Sequence, residues 1–169
     1  NHLLLFDGSL IFWHLEAKDP ILKELFLPRY LATLLSMYDE RIVCASYISA
    51  PKSHELMNVV KTYGCDFDER NQASVTMLNR FTDAWLLYSV LKPYERTILF
   101  KNHAKVSEQY PDAVHPYFFY MNNGSEIGRV EIPAWIAQDE TLVNWIAAAI
   151  LDQCSKGFGY PIGLAEAHE

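Results

Sequence analysis

Apolar and polar positions alternate between two rhythms along the chain. Leu3 to Trp13 (LLLFDGSLIFW) is an apolar run broken only by Asp7-Gly8-Ser9. It predicts a buried strand that continues, or turns back, through a second short strand. From Pro20 to Tyr38, Ile21, Leu22, Leu25, Phe26, Tyr30, Leu31, Leu34 and Leu35 recur at helical spacing, with Pro28 expected to kink or break the helix. Ile42 to Ser49 (IVCASYIS) predicts a second buried strand. Ser53 to Tyr63 follows as a helix, with Ser53 as N-cap and Leu56, Val59 and Val60 on its apolar face.

After the polar loop DFDERNQ (66–72), residues 73–91 return to a helical pattern that ends at Lys92-Pro93. Residues 94–100 and Val114 to Met121 predict strands, and Asn122-Asn123-Gly124-Ser125 is a turn signal before the next run. Ile127 to Trp135 (IGRVEIPAW) alternates like a half-buried strand, with Arg129 and Glu131 two apart as a surface ion pair or an internal one supporting a site. Asp139 or Thr141 caps a last long helix that stops near Gly157, and the chain ends in GYPIGLAEAHE. Interleaved strands and helices, without a repeat or linker, predict one α/β domain over residues 1–169 with a mixed sheet flanked by helices.

The chain's 169 residues suit one domain, and its 14 basic against 21 acidic residues give a net charge of −7. Half the residues are apolar and 14% aromatic, enough to offset ordering entropy and exclude a disordered chain. The acidic balance excludes a polybasic DNA-coating protein, though not an enzyme that touches nucleic acid through a local patch. Cys44, Cys65 and Cys154 form no CxxC pair. They read as small buried hydrophobes in a reducing cytoplasm, rather than as a zinc site or disulfide framework. No apolar run approaches a membrane span, and the first residues read as a strand rather than a signal peptide. Both ends read as boundaries within a longer parent protein.

Candidate chemistry begins with Asp7, a carboxylate inside an apolar strand, which needs turn N–H donors, a basic partner or a metal ion. His168, in Glu166-Ala167-His168-Glu169, is either a solvated terminal residue or, two positions from Glu166 on a strand, part of a ligand pair. Asp83 in RFTDAW and Glu55 on the predicted helix complete a set of acids spread over several elements. Each suits a solvated surface when read alone, but together such oxygens suit Mg²⁺ or Mn²⁺. HExxH, GxSxG, GxGxxG and P-loop patterns are absent. Lys92, Arg96, Lys101, His103 and Lys105, opposed by Glu95, are the local basic cluster, either phosphate-contacting or a solvated face. Trp13 and Trp85 suit core packing first and base stacking second.

DGSL after an apolar strand, YISAPKSHELMN, LKPYERTILF, FFYMN…EIGRVEIPAW and the terminal GYPIGLAEAHE together resemble the NurA nuclease domain, in order and over nearly the whole chain. The resemblance implies an RNase H-like fold and a Mn²⁺-dependent nuclease (with Mg²⁺ as the alternative cation). Such an enzyme hydrolyses phosphodiesters of single- and double-stranded DNA, usually as a homodimer beside a HerA-type hexameric ATPase in DNA end processing and repair. It matches the family's catalytic and metal-binding residues to Asp7, Glu55, Asp83 and His168, and a further catalytic tyrosine to Tyr160. Asp66 or Glu69 competes with Glu55 for the second acid. Family members often carry further helices on either side. Rival readings are an RNase H-like nuclease acting on RNA, and a catalytically silent module that binds DNA or the ATPase.

Overall fold

The computed structural model describes residues 2–13, 20–64 and 79–168. Five strands form one mixed sheet: β1 (Leu4–Asp7), β2 (Cys44–Ile48), β3 (Phe100–Lys101), β4 (Pro116–Asn122) and β5 (Ile127–Pro133). Their spatial order is β1-β2-β5-β4-β3; β1 and β2 are parallel and the other neighbours antiparallel. The parallel pair needs a crossover, and α1 (Pro20–Asp39) lies within it. The remaining helices are α2 (Glu55–Gly64), α3 (Asp83–Val90), the single turn α4 (Ala134–Ala137), α5 (Glu140–Lys156) and α6 (Ile162–Ala167). The α/β class and the mixed, helix-flanked sheet are those expected.

Strand alternation sends Tyr47, Phe119, Val130 and Ile132 to one face, where Val143, Ile146, Ile150 and Cys154 of α5 and Leu164 of α6 close the main core. Asp139 caps α5 by accepting the Leu142 N–H at 3.1 Å, and Gly157 ends it. Phe118, Tyr120 and Ile127 face the other way, against Leu87 of α3. Cys44 and Cys154 are buried, and burial pushes both thiols up, Cys44 to about 11. Cys65 lies outside the described residues. No described helix is long and apolar enough to cross a membrane.

Several local expectations are corrected. Residues after Asp7 form no second strand: Leu10 and Ile11 are buried in irregular backbone. Side chains meet their needs instead, because Leu10 donates to Glu131 and its carbonyl accepts from Tyr30 and Tyr110 hydroxyls. Helix α1 runs unbroken through Pro28. Residues 94–100 are mostly irregular, with a bridge from Arg96 to Met121 ahead of the short β3. The expected helix over 73–91 is described only from Asp83, where Thr82 caps it.

Helix α2 begins at Glu55, and Ser53 bonds the Tyr120 hydroxyl rather than capping. Its buried residues are Met57 and Lys61, while Val59 and Val60 are exposed. Lys61 is accommodated by the side-chain oxygens of Asn58 and Asn79. Strand β5 is buried at all seven positions rather than alternately, so Arg129 and Glu131 form an internal pair. The last residues form a helix, so Glu166 and His168 do not share a strand face.

Candidate active site

Asp7 closes β1, and Gly8, at φ +89°, turns the chain away while donating to the Tyr47 carbonyl at 3.0 Å. A left-handed φ suits glycine because no Cβ meets the backbone there. Two residues from the far end of the sequence reach this carboxylate. The Tyr160 hydroxyl donates to Oδ1 at 2.8 Å, and His168 Nε2 bonds Oδ2 at 2.8 Å. Since the carboxylate accepts, Nε2 carries the proton. The side chains of Asp7 and His168 are 45% and 63% exposed, so water and ligands reach them. Burial first, and then the bond to Asp7, push the Tyr160 phenol up to about 12. It therefore remains a donor throughout the neutral range.

The turn from α5 into α6 sets these positions. The Gly157 and Gly159 amides bond back to the end of α5, and the Gly159 carbonyl accepts from Asn123 at 2.7 Å. A Cβ on Gly157 would lie 2.0 Å from the Tyr160 carbonyl oxygen, so the turn has no space for a side chain there. Gly157→Ala is therefore expected to lower stability by about 1–3 kcal/mol. It should also displace Tyr160 and His168 from Asp7; urea denaturation and the His168 ring resonances check both effects.

Glu55 and Asp83 belong to a second, mostly buried network on the Phe118–Tyr120 side of the sheet. Asp83, fully buried at the start of α3, accepts from the Met57 N–H at 2.9 Å and the Tyr120 hydroxyl at 2.8 Å. It thereby meets an otherwise unpaired N–H of the first turn of α2. Ser53 and His54 strap the same helix starts together, through Asp83 N–H to Ser53 O and His54 Nδ1–H to Phe81 O, both at 2.9 Å.

Glu55 Oε2 accepts from Arg129 Nη1 at 2.6 Å, and Arg129 Nε donates to Glu131 Oε1 at 2.9 Å. Glu131 Oε2 in turn accepts from Ser9 Oγ at 2.7 Å and Leu10 N at 2.8 Å. Burial opposes the Arg129 charge, but the flanking carboxylates outweigh it and hold the guanidinium above its ordinary range. Its Nη2 has no hydrogen-bond partner among the described residues, while its central carbon lies 3.8 Å from the Phe118 ring centroid, in cation–π contact. Burial also raises the Tyr120 phenol, helped by Asp83 and Glu55 and opposed by Arg129 and Ser53.

The structure thus divides the expected site. Asp7, Tyr160 and His168 meet, and Glu55 and Asp83 meet through Tyr120, but the two groups occupy different rows. Asp7 is in register with Tyr47 and hence with Val130, whereas Arg129 and Glu131 flank Val130 and point to the other face. Among the described residues no three of His, Cys, Asp and Glu converge on one point. The Asp7 oxygen and His168 nitrogen fit two ligands of a Mn²⁺- or Mg²⁺-type ion, whose other positions commonly go to water or phosphate. Glu55 Oε2 is held by the Arg129 guanidinium, and both Asp83 oxygens accept hydrogen bonds. Asp66 and Glu69 lie outside the described residues.

Of the basic cluster, Lys92, Lys101, His103 and Lys105 are exposed. Arg96 is engaged by Asn144 Oδ1 at 2.7 and 3.2 Å. It lies near the Phe119 ring on the α5 side. Tyr120, Arg129 and Glu131 organise the second network, yet FFYM reads simply as a core strand. The two charges in RVEIP were visible, but their burial was not. Trp13 and Trp85, expected in the core, are 37% and 55% exposed.

No curated relative and no solved structure matches the chain. A family model described as the NurA domain matches residues 1–169, the full length, and the chain therefore belongs to the NurA family of nucleases.

Proposed function

We propose that the protein is a divalent-metal-dependent nuclease that hydrolyses DNA phosphodiesters at Asp7, Tyr160 and His168. The meeting of Asp7 with Tyr160 and His168, each over 150 residues away from it in sequence, carries the reading together with family membership. Asp7 and His168 would hold the cation, the imidazole presenting an unprotonated ring nitrogen to it. When bound, the ion activates water and offsets charge developing at the phosphate. Tyr160 orients the Asp7 carboxylate through Oδ1 and leaves Oδ2 to its partner. Mn²⁺ is the proposed ion, with Mg²⁺ as its substitute.

Family membership also supports a homodimer working in the cytoplasm with a HerA-type hexameric ATPase on single- and double-stranded DNA ends, in end resection. A DNA- or ATPase-binding module without catalysis is the second reading, favoured by the retention of Glu55 on Arg129 and of Asp83 in the interior.

End-labelled single-stranded and duplex DNA should be cut with Mn²⁺ and left intact in EDTA. RNA of the same sequence should remain whole. A folded protein that cuts neither DNA with Mn²⁺, Mg²⁺ nor the ATPase added would overturn the nuclease reading in favour of the silent module.

A further inference from the structure

We propose that the cleft between the segment after β1 and the start of α2 is a subsite for an unpaired nucleotide of single-stranded DNA, with Trp13 as its base-stacking platform. The inference rests on the nuclease reading and extends it to how the strand is held. The cleft measures about 480 Å³, within the range of small-molecule sites. Its lining includes Gly8, Ser9 and Trp13 from the segment after β1, and Lys52, His54 and Asn58 from around the start of α2. Glu55, Arg129 and Glu131 also line it, so the cleft lies on the Tyr120 side of the sheet and reaches the end of β1 at Gly8, next in the chain to Asp7.

Trp13 is built for presentation rather than packing. Its indole Nε1 donates to Ser9 Oγ at 3.0 Å, Ser9 Oγ donates to Glu131 at 2.7 Å, and Ile11 N also bonds Ser9 Oγ. Since Glu131 is buried, this chain ties the edge of the indole to the interior while the side chain remains 37% exposed. A pre-ordered aromatic surface loses little rotamer freedom on stacking. Base–aromatic stacking tolerates any sequence because every base has a π-face.

Lys52 and His54 supply polar groups to the same cleft. Lys52 is exposed and has no ion-pair partner among the described residues. Since His54 Nδ1 is committed to Phe81 O, Nε2 is left for a ligand. Trp13 also borders a second groove, of about 490 Å³, lined by Phe100, Lys101 and His103. Both grooves touch Glu55. Trp13 thus lines two grooves, one shared with Lys52 and the other with Lys101. This path uses Lys101 from the basic run and leaves Arg96 to α5.

The test is binding of octathymidylate to the full chain in EDTA, where no metal-dependent cutting occurs, titrated across 50–200 mM salt. Trp13→Ala is expected to weaken binding about tenfold, with Trp13→Phe within about threefold of wild type. Lys52→Ala and Lys101→Ala should each reduce the slope of log affinity against log salt by about 0.7 while leaving the melting temperature unchanged. Wild-type binding unaffected by Trp13→Ala, equal loss in Trp13→Phe, unchanged salt slopes, or no wild-type binding would each overturn the subsite. Tighter binding of the ribonucleotide octamer would overturn its assignment to DNA. Cleavage of the same oligonucleotide with Mn²⁺ judges the nuclease reading separately, because the binding measurement contains no metal.

Discussion

Arg129→Met is expected to destabilise the fold by about 3–5 kcal/mol, since it leaves buried Glu131 and half-buried Glu55 without their counter-charge. For a domain of this size that corresponds to a melting temperature about 6–20 °C lower. The loss has two parts. Glu131 is almost wholly inaccessible and keeps only Ser9 Oγ and Leu10 N as donors once the guanidinium is gone. The Phe118 face also loses the cation stacked on it. Combining Arg129→Met with Glu131→Gln should recover part of the loss, because an amide costs far less to bury than an unpaired carboxylate. Urea denaturation of the single and double variants checks this. A single variant within 1 kcal/mol of wild type would show that the triad is better solvated than its burial indicates.

The second large effect is on catalysis. Asp7→Asn should lower DNA cleavage with Mn²⁺ by about 10²–10⁴-fold while shifting the melting temperature little, because its side chain is 45% exposed and an amide oxygen can still accept from Tyr160. Asp83→Asn should behave differently. Asp83 is fully buried between the Met57 N–H and the Tyr120 hydroxyl, and an amide can present only one good acceptor to two donors. The expected cost is about 1–3 kcal/mol of stability. Measuring cutting rate and urea midpoint on both variants separates the roles. Asp7→Asn with more than a tenth of wild-type activity would remove the cutting site from Asp7. Asp83→Asn with full stability but no activity would place Asp83 at the reacting centre and imply a rearrangement of the Tyr120 network.

Long elements were legible because their signals are local. The apolar rows of Ile42–Ser49 and Val114–Met121 contain strands β2 and β4, and Asp139 and Gly157 bracket α5 as capping residues should. The weaker readings failed where a distant partner decided the outcome. On α2, Val59 and Val60 carry the hydrophobic signal, yet Met57 and Lys61 are buried, because Asp83 anchors the helix N-terminus and two asparagines receive the lysine. On β5, the polar residues of an apparently alternating strand are interior, because Glu55, Tyr120 and Ser9 from three other segments satisfy them.

The sequence by itself determined the α/β class and, through its resemblance to NurA domains, the family and a candidate set of Asp7, Glu55, Asp83, Tyr160 and His168. The apolar pattern carries the class, and the ordered motifs of the resemblance carry the rest, without coordinates. Tertiary structure alone decided that Asp7, Tyr160 and His168 touch, that Glu55 is held by Arg129, that Asp83 is interior and that Trp13 is displayed. Each of these depends on strand register and on which face a side chain takes. A one-residue change of register reverses the face, and a carboxylate's role follows from the groups that then surround it.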